Sequence, residues 1–89
     1  MKSHLSSDFI RCFRQLPGRI QKHARRSYKL WKKDPNHPSL DFKQVSRRNP
    51  VFSVRVGIGW RALGLKRGEA VIWFWIGSYA EYDHILKHL

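Results

Sequence analysis

Acidic residues are scarce in this sequence. Only six Asp and Glu stand against eighteen Lys and Arg in 89 residues, which gives a formal net charge of +12 and an isoelectric point near 10.8. So many like charges repel one another in a folded chain, which favours a polyanionic or acidic partner. Nucleic acid, the ribosome, an anionic membrane surface and an acidic protein all fit this description. A basic protein without such a partner is the alternative.

The sequence also has a single cysteine, Cys12, and no long apolar run. A lone cysteine cannot form an internal disulfide, and the five histidines lack the spacing of metal ligands. No stretch approaches the roughly 20 apolar residues of a membrane helix, and no signal peptide opens the chain. We therefore expect one cytoplasmic domain over residues 1–89, with no metal, no other cofactor and no membrane partner.

Two helices are predicted in the first third of the chain. The stretch "SSDFIRCFRQL" offers Ser6 or Ser7 as a cap, followed by apolar residues at helical spacing. Pro17 ends this helix and opens the next, "PGRIQKHARRSYKLWKK". One face of the second helix carries Ile20, Ala24, Tyr28 and Trp31. Its other faces are almost purely basic, so we expect a helical hairpin with a cationic exterior.

The hydrophobic period changes from 3.6 to 2 after the turn-rich stretch "DPNHPSLD". The segments "FKQVSRR", "VFSVRVG", "WRALGLK" and "EAVIWFWIG" predict an antiparallel meander of three or four strands. Ser78 and Glu81 then form a capping-box pattern, which starts a C-terminal helix. The order of elements is therefore two helices, a small sheet and a last helix.

A candidate anion site lies at the reversal Gly57-Ile58-Gly59. A symmetric turn there places Arg55 directly opposite Arg61, with Cβ atoms about 5 Å apart. Like charges this close are unfavourable unless an anion or a carboxylate lies between them. The two arginines could clamp a phosphate, or each could pair with a local acid or remain solvated. A turn that is asymmetric by one residue would place them on opposite faces.

Several side chains near this site could transfer protons. Tyr79, His84, His37 and His23 qualify by residue type, but no spacing singles one out. Tyr79 opens the last helix and is expected to be exposed. Tyr82 is a further catalytic candidate, although its helical spacing also fits packing on the core. Neither a glycine-rich phosphate loop nor a nucleophile elbow is present.

Three stretches in this order resemble the RelE/ParE superfamily of bacterial type II toxin–antitoxin toxins. They are "FRQLPGRIQKHARRSYKLWKKDPNHPSLDFKQV", "FSVRVGIGWRALG" and "WIGSYAEYDHIL". The resemblance implies an α+β fold, with the N-terminal helical hairpin packed on a small twisted antiparallel sheet and a short C-terminal helix following. A short extended strand within Met1–Leu5 would precede the hairpin. The resemblance further implies metal-independent cleavage of messenger RNA in the ribosomal decoding site and a cognate acidic antitoxin.

The resemblance also assigns roles to residues. Arg61 in "GWR" matches the arginine that stabilises the scissile phosphate, and Arg55 lies on the strand where RelE-like members place cations. Tyr79 stands after "IGS", where many relatives carry a proton-transferring histidine, and Phe52 and Val54 stand where RelE has lysines. These are departures from the family pattern. The residues expected to contact RNA are Arg25, Arg26, Lys29, Lys43, Arg47 and Arg48.

The predicted function is a ribosome-dependent messenger RNA endoribonuclease that inhibits translation and growth. Arg61, Arg55, Tyr79, Tyr82 and His84 are its catalytic candidates, and Arg61 is expected to be an exposed clamp residue that contributes little to stability. One alternative is a non-enzymatic ParE-like toxin that poisons DNA gyrase and needs no acid–base residue. Another is an inactive basic relative that only binds nucleic acid.

Overall fold

The computed structural model describes all residues, 1–89, as three helices and one five-stranded sheet. The strands are β1 (Lys2–Leu5), β2 (Lys43–Gln44), β3 (Val51–Val56), β4 (Trp60–Arg67) and β5 (Ala70–Ser78). The helices are α1 (Ser7–Arg14), α2 (Gly18–Lys33) and α3 (Tyr79–Leu86), with a 3-10 turn at Pro38–Leu40. The predicted α+β class and order of elements are confirmed. No helix has both the length and the apolar character needed to cross a membrane.

The sheet is mixed, with the strand order β1-β5-β4-β3-β2. Strands β2 to β5 form the expected antiparallel meander. Strand β1 differs from the expectation because it runs parallel to β5, with Lys2 opposite Ala70 and Leu5 opposite Trp73. Parallel neighbours need a long connection, and the whole chain between these two strands supplies one.

One face of the sheet is covered by α1 and α2. Ser6 caps α1 by accepting a hydrogen bond from the Phe9 amide at 3.1 Å. The Gln21 side chain then joins the two helices, donating to the carbonyls of Phe13 and Leu16 at 3.2 Å. Eleven buried residues form the main core between these helices and the sheet. Trp31 lies within it, edge to face against Trp73 at 5.2 Å between ring centroids.

The main core packs closely around Gly64 on β4. A Cβ built on Gly64 would lie 2.5 Å from Val71 Cγ1 and 2.8 Å from Trp73 Cε3, both too short for a real contact. The pairing of β4 with β5 shifts register between Leu63 and Gly64. This irregularity sends Trp73 and Trp75 to opposite faces of the sheet, where they join different hydrophobic clusters.

The opposite face of the sheet carries α3 and a much smaller cluster. Its buried members are Val51, Leu63 and Tyr82. The predicted capping box is confirmed: the Ser78 hydroxyl accepts from the Glu81 amide, and the Glu81 carboxylate accepts from the Ser78 amide, both at 3.3 Å. Because α3 covers only part of this face, the end of the β3–β4 hairpin remains accessible beside it.

Candidate active site

The accessible end of the β3–β4 hairpin forms a pocket of about 470 Å³ with a largely polar lining. The residues that line it are Asp41, Lys43, Arg55, Gly57, Ile58, Gly59, Trp60, Arg61 and Tyr79. The pocket therefore brings together Arg55, Arg61 and Tyr79 from the catalytic candidates, and Lys43 from the expected RNA-binding residues.

The hairpin register is the symmetric one, so Arg55 lies directly opposite Arg61. The turn achieves this with two glycines in the left-handed region, Gly57 at φ 56° and Gly59 at φ 86°. Residues with a side chain rarely adopt this conformation, which explains why glycine occupies both positions. Alternation along each strand then directs both arginines to the face that carries α3.

Arg61 is buried, with only 4% of its surface exposed, and the expectation of an exposed clamp was therefore wrong. Its Nη1 donates to Ser53 Oγ at 3.0 Å and to the Asp41 carbonyl at 3.4 Å, and its Nη2 donates to the Asp41 carboxylate. The guanidinium also lies over the Tyr82 ring, 5.4 Å from its centroid. Arg61 is thus held on several sides, and its removal would leave the buried Ser53 hydroxyl without this partner.

Asp41 supplies the negative charge between the two arginines, although no sequence motif singled it out. Its Oδ2 atom accepts from Arg61 and lies 3.3 Å from Lys43 Nζ and 4.0 Å from Arg55 Nη2. The hydrogen bond from Arg61 is the main reason why the pKa of the Asp41 carboxyl lies below its usual value, and Lys43 adds to the effect. The available signal was the requirement for a carboxylate between two opposed arginines in a chain with six acids.

The two tyrosines of α3 occupy different environments. Tyr79 is 51% exposed at the pocket rim, where its amide donates to the Gly59 carbonyl at 2.8 Å. This bond fixes the start of α3 against the hairpin turn. Tyr82 is only 3% exposed and packs under Arg61, with its ring centroid 5.4 Å from that of Tyr79. Tyr82 therefore packs beneath the Arg61 guanidinium and does not line the pocket.

The histidine candidates lie outside the pocket. His84 is on the exposed side of α3, where its ring packs 4.8 Å from that of His88. His37 accepts a hydrogen bond from the Ser39 amide and so caps the 3-10 turn. His23 is exposed on α2 and packs near Gly57. No histidine lines the pocket, and no three His, Cys, Asp or Glu side chains come together to hold a metal.

The expected RNA-binding residues are all exposed, but only Lys43 belongs to the pocket. Arg25, Arg26 and Lys29 lie on α2, with Arg25 over the Phe13 ring at 5.1 Å. Arg47 and Arg48 lie in the loop between β2 and β3. Their roles stay predictions, since exposure is what a binding residue needs but does not by itself identify a ligand.

Several solved structures share this fold. YafQ from Escherichia coli BL21(DE3) aligns with a TM-score of 0.73 at 12% identity, covering 91% of this chain and 96% of its own. RelE in the RelB–RelE complex of Methanococcus jannaschii gives 0.72 at 18% identity, with the same coverage of both chains. The RelBE2 toxin–antitoxin complex of Mycobacterium tuberculosis gives 0.70 at 20% identity, covering 86% and 95%.

Sequence comparison identifies the family more directly. No curated protein sequence matches the chain significantly. The model of the ParE-like toxin domain matches residues 18–84, which include α2, the antiparallel strands and most of α3. The chain therefore belongs to the ParE-like toxin domain family, within the RelE/ParE superfamily that its sequence resembles.

Proposed function

We propose that this protein is the toxin of a type II toxin–antitoxin system and cleaves messenger RNA in the ribosomal decoding site. The observation that carries the proposal is the pocket itself. Arg55, Arg61 and Lys43 converge there within 4.0 Å of one point, the Asp41 Oδ2 atom, and Tyr79 lies at the rim. A phosphate group fits such a cluster, because guanidinium groups offer paired donors to its oxygens.

The proposed reaction is attack of a ribose 2′-oxygen on the adjacent phosphorus. The 2′-hydroxyl loses its proton to water as the bond from the 2′-oxygen to phosphorus forms, the bond to the 5′-oxygen breaks, and the leaving 5′-oxygen takes up a proton. Negative charge accumulates on the phosphate oxygens during this step, where Arg55, Arg61 and Lys43 would stabilise it. Tyr79 is the pocket side chain best placed to donate the proton. The ribosome would hold the RNA in the reactive geometry.

The remaining positive charge fits a target made largely of RNA. Arg25, Arg26 and Lys29 form an exposed basic surface on α2, and Arg47 and Arg48 add exposed positive charge in the loop between β2 and β3. Contacts of this kind to phosphates release counterions, so binding should weaken steeply as salt rises. We assign these residues to sequence-independent contacts with ribosomal and messenger RNA.

A cognate antitoxin is the proposed regulatory partner, and both would act in the cytoplasm. The similar folds from M. jannaschii and M. tuberculosis come from toxin–antitoxin complexes. An acidic antitoxin would offset part of the charge of +12. Charge at the rim of such an interface accelerates association, so the on-rate should fall with ionic strength.

Poisoning of DNA gyrase is the second candidate function. It is favoured by the pocket's lack of a histidine and by the apolar Phe52 and Val54, which stand where RelE has lysines. A gyrase poison needs no group that transfers protons. An inactive relative that binds nucleic acid would keep the basic surface and lack both activities.

Toeprinting on translating ribosomes tests the proposal. Arg55→Ala is the informative variant because Arg55 is exposed and its loss leaves the buried network around Arg61 in place. Arg67→Ala is the matched control: Arg67 is also exposed, at the far end of β4, about 20 Å from Arg61 by strand rise.

Cleavage at the decoding site by the wild type and Arg67→Ala, and its loss in Arg55→Ala, would support the proposal. Intact messenger with all three proteins would overturn it. Gyrase supercoiling assays would then distinguish a poison from an inactive relative.

A further inference from the structure

The Asp41 carboxylate lies where three positively charged side chains of the pocket converge. The residue terminates the 3-10 turn in the left-handed conformation, at φ 45°, with its amide donating to the Pro38 carbonyl at 3.3 Å. The three cations that surround it all approach the same oxygen atom, Oδ2. The backbone of the turn therefore fixes where this carboxylate is anchored.

A carboxylate and a phosphate present the same chemistry to these cations. Both offer a pair of negatively charged oxygens that accept from a guanidinium, so they compete for one location. With Asp41 in place, a single negative charge stands against three positive ones. An incoming phosphate group can therefore contact Arg55 and Lys43 directly. To bind Arg61, it must take the position that the Asp41 Oδ2 atom already occupies.

The exposure of these side chains shows which of them can move. Arg61 is buried and also bonded to the fully buried Ser53, so it cannot follow a ligand. Asp41 is 34% exposed, and Arg55 and Lys43 are half-exposed. Rotation of the Asp41 side chain toward solvent would free the site without moving the sheet.

We propose that the Asp41 side chain is a built-in occupant of the phosphate site, which an RNA phosphate must displace in order to bind Arg61. The proposal rests on the proposed function for the identity of the ligand as RNA. The site is partly self-inhibited: its affinity for phosphate is reduced by the free energy of separating Asp41 from Arg61. RNA held in place by the ribosome overcomes this cost more readily than free RNA, which would restrict cleavage to the ribosome-bound messenger.

The direction in which the substitution Asp41→Asn changes the affinity for inorganic phosphate tests the proposal. Asp41→Asn keeps the shape of the side chain but removes the competing charge, so inorganic phosphate should bind more tightly. A structural role for Asp41, as the residue that positions Arg61, predicts the opposite. Glu69→Gln is the charge-matched control, because Glu69 lies in the exposed turn between β4 and β5, at the end of β4 far from the pocket.

The experiment is isothermal titration calorimetry of the protein, residues 1–89, with inorganic phosphate. We expect phosphate affinity to rise by at least about tenfold in Asp41→Asn, equivalent to about 1.4 kcal/mol. Glu69→Gln should match the wild type. A Kd for Asp41→Asn that equals or exceeds the Kd of Glu69→Gln would overturn the proposal. Repeating the titration with a 2′-O-methylated dinucleotide extends the test to an RNA phosphate that cannot be cleaved.

A measurement on the wild type covers the case in which Asp41→Asn does not fold. Carbon-13 NMR of the aspartate carboxyl groups should show the Asp41 resonance moving toward that of a solvated carboxylate as phosphate is added. An Asp41 resonance that stays unchanged at saturating phosphate would overturn displacement. Neither measurement involves cleavage, so displacement can succeed or fail separately from the endoribonuclease proposal.

Discussion

The two faces of the sheet are formed by the same strands but differ in size of core and in polarity. The face under α1 and α2 buries eleven residues in one apolar core. The face under α3 buries three apolar residues, and beside them it holds Arg61 among polar and charged partners. Alternation along β3 and β4 sends neighbouring side chains to opposite faces, so Val54 packs in the core while Arg55 reaches the pocket. The large apolar core and the charged side chains of the pocket therefore lie on opposite faces of one sheet.

Removal of Trp31 should produce the largest loss of stability. Trp31→Ala deletes a ring that is 1% exposed and packs against Tyr28, Phe42 and Trp73. We expect the free energy of unfolding to fall by about 3–5 kcal/mol in urea denaturation. Leu86→Ala, on the face of α3, removes a half-buried side chain and should cost only about 1 kcal/mol. Equal losses would mean that the two faces contribute alike.

Arg61 tests whether the polar face also stabilises the fold. Arg61→Ala removes a buried guanidinium that bonds to Ser53 and Asp41 and leaves the buried Ser53 hydroxyl without this partner, so we expect a loss of about 3 kcal/mol. Arg55→Ala removes an exposed partner and should change stability by less than about 0.5 kcal/mol. Urea denaturation of the two variants and the wild type measures both changes. Similar stabilities for the two variants would show that the network around Arg61 contributes nothing to folding.

The two tyrosines of α3 allow proton transfer to be tested separately from packing under Arg61. Tyr79→Phe should slow single-turnover cleavage of ribosome-bound messenger by about 100-fold if its phenol donates the proton, and leave the melting temperature unchanged. Tyr82→Phe keeps the ring under Arg61 and should cleave normally. Tyr79→His should raise activity above the wild type. Unchanged cleavage by Tyr79→Phe would remove its hydroxyl from the mechanism.

Acid should expose the contribution of Asp41 to stability. Its pKa in the folded protein is lowered from the ordinary value of 3.8. A lowered pKa means that the stabilisation is present above about pH 4 and is lost as pH falls through the folded value. The free energy of unfolding should therefore drop more steeply below about pH 4 in the wild type than in Asp41→Asn. Asp83→Asn, an exposed control on α3, should keep the slope of the wild type.

Local patterns in the sequence predicted much of this structure. The capping box at Ser78 and Glu81, the break at Pro17 and the facing of Arg55 and Arg61 each depend on residues close together in the chain. The two glycines located the hairpin turn, whereas the choice between a symmetric turn and one shifted by a residue stayed open until the structure showed Arg55 opposite Arg61. These features follow from backbone preferences that act over a few residues.

Features that depend on distant residues were not predicted. Asp41 is twenty positions from Arg61, and no local preference indicates a left-handed aspartate at the end of a 3-10 turn. The burial of Arg61 follows from that pairing, so it was missed together with Asp41. The parallel direction of β1 depends on a strand near the other end of the chain, which local periodicity does not encode.

The pairing of β1 with β5 also sets the order in which the protein can be completed during its own synthesis. Lys2 has no partner in the sheet until Ala70 is available, so the pairing of greatest sequence separation waits for the synthesis of β5. Tyr79 and the start of α3 follow only a few residues later. A nascent chain that ends before β5 has neither a closed sheet nor a complete pocket. The finished site is therefore present only after β5 and the start of α3 have been made.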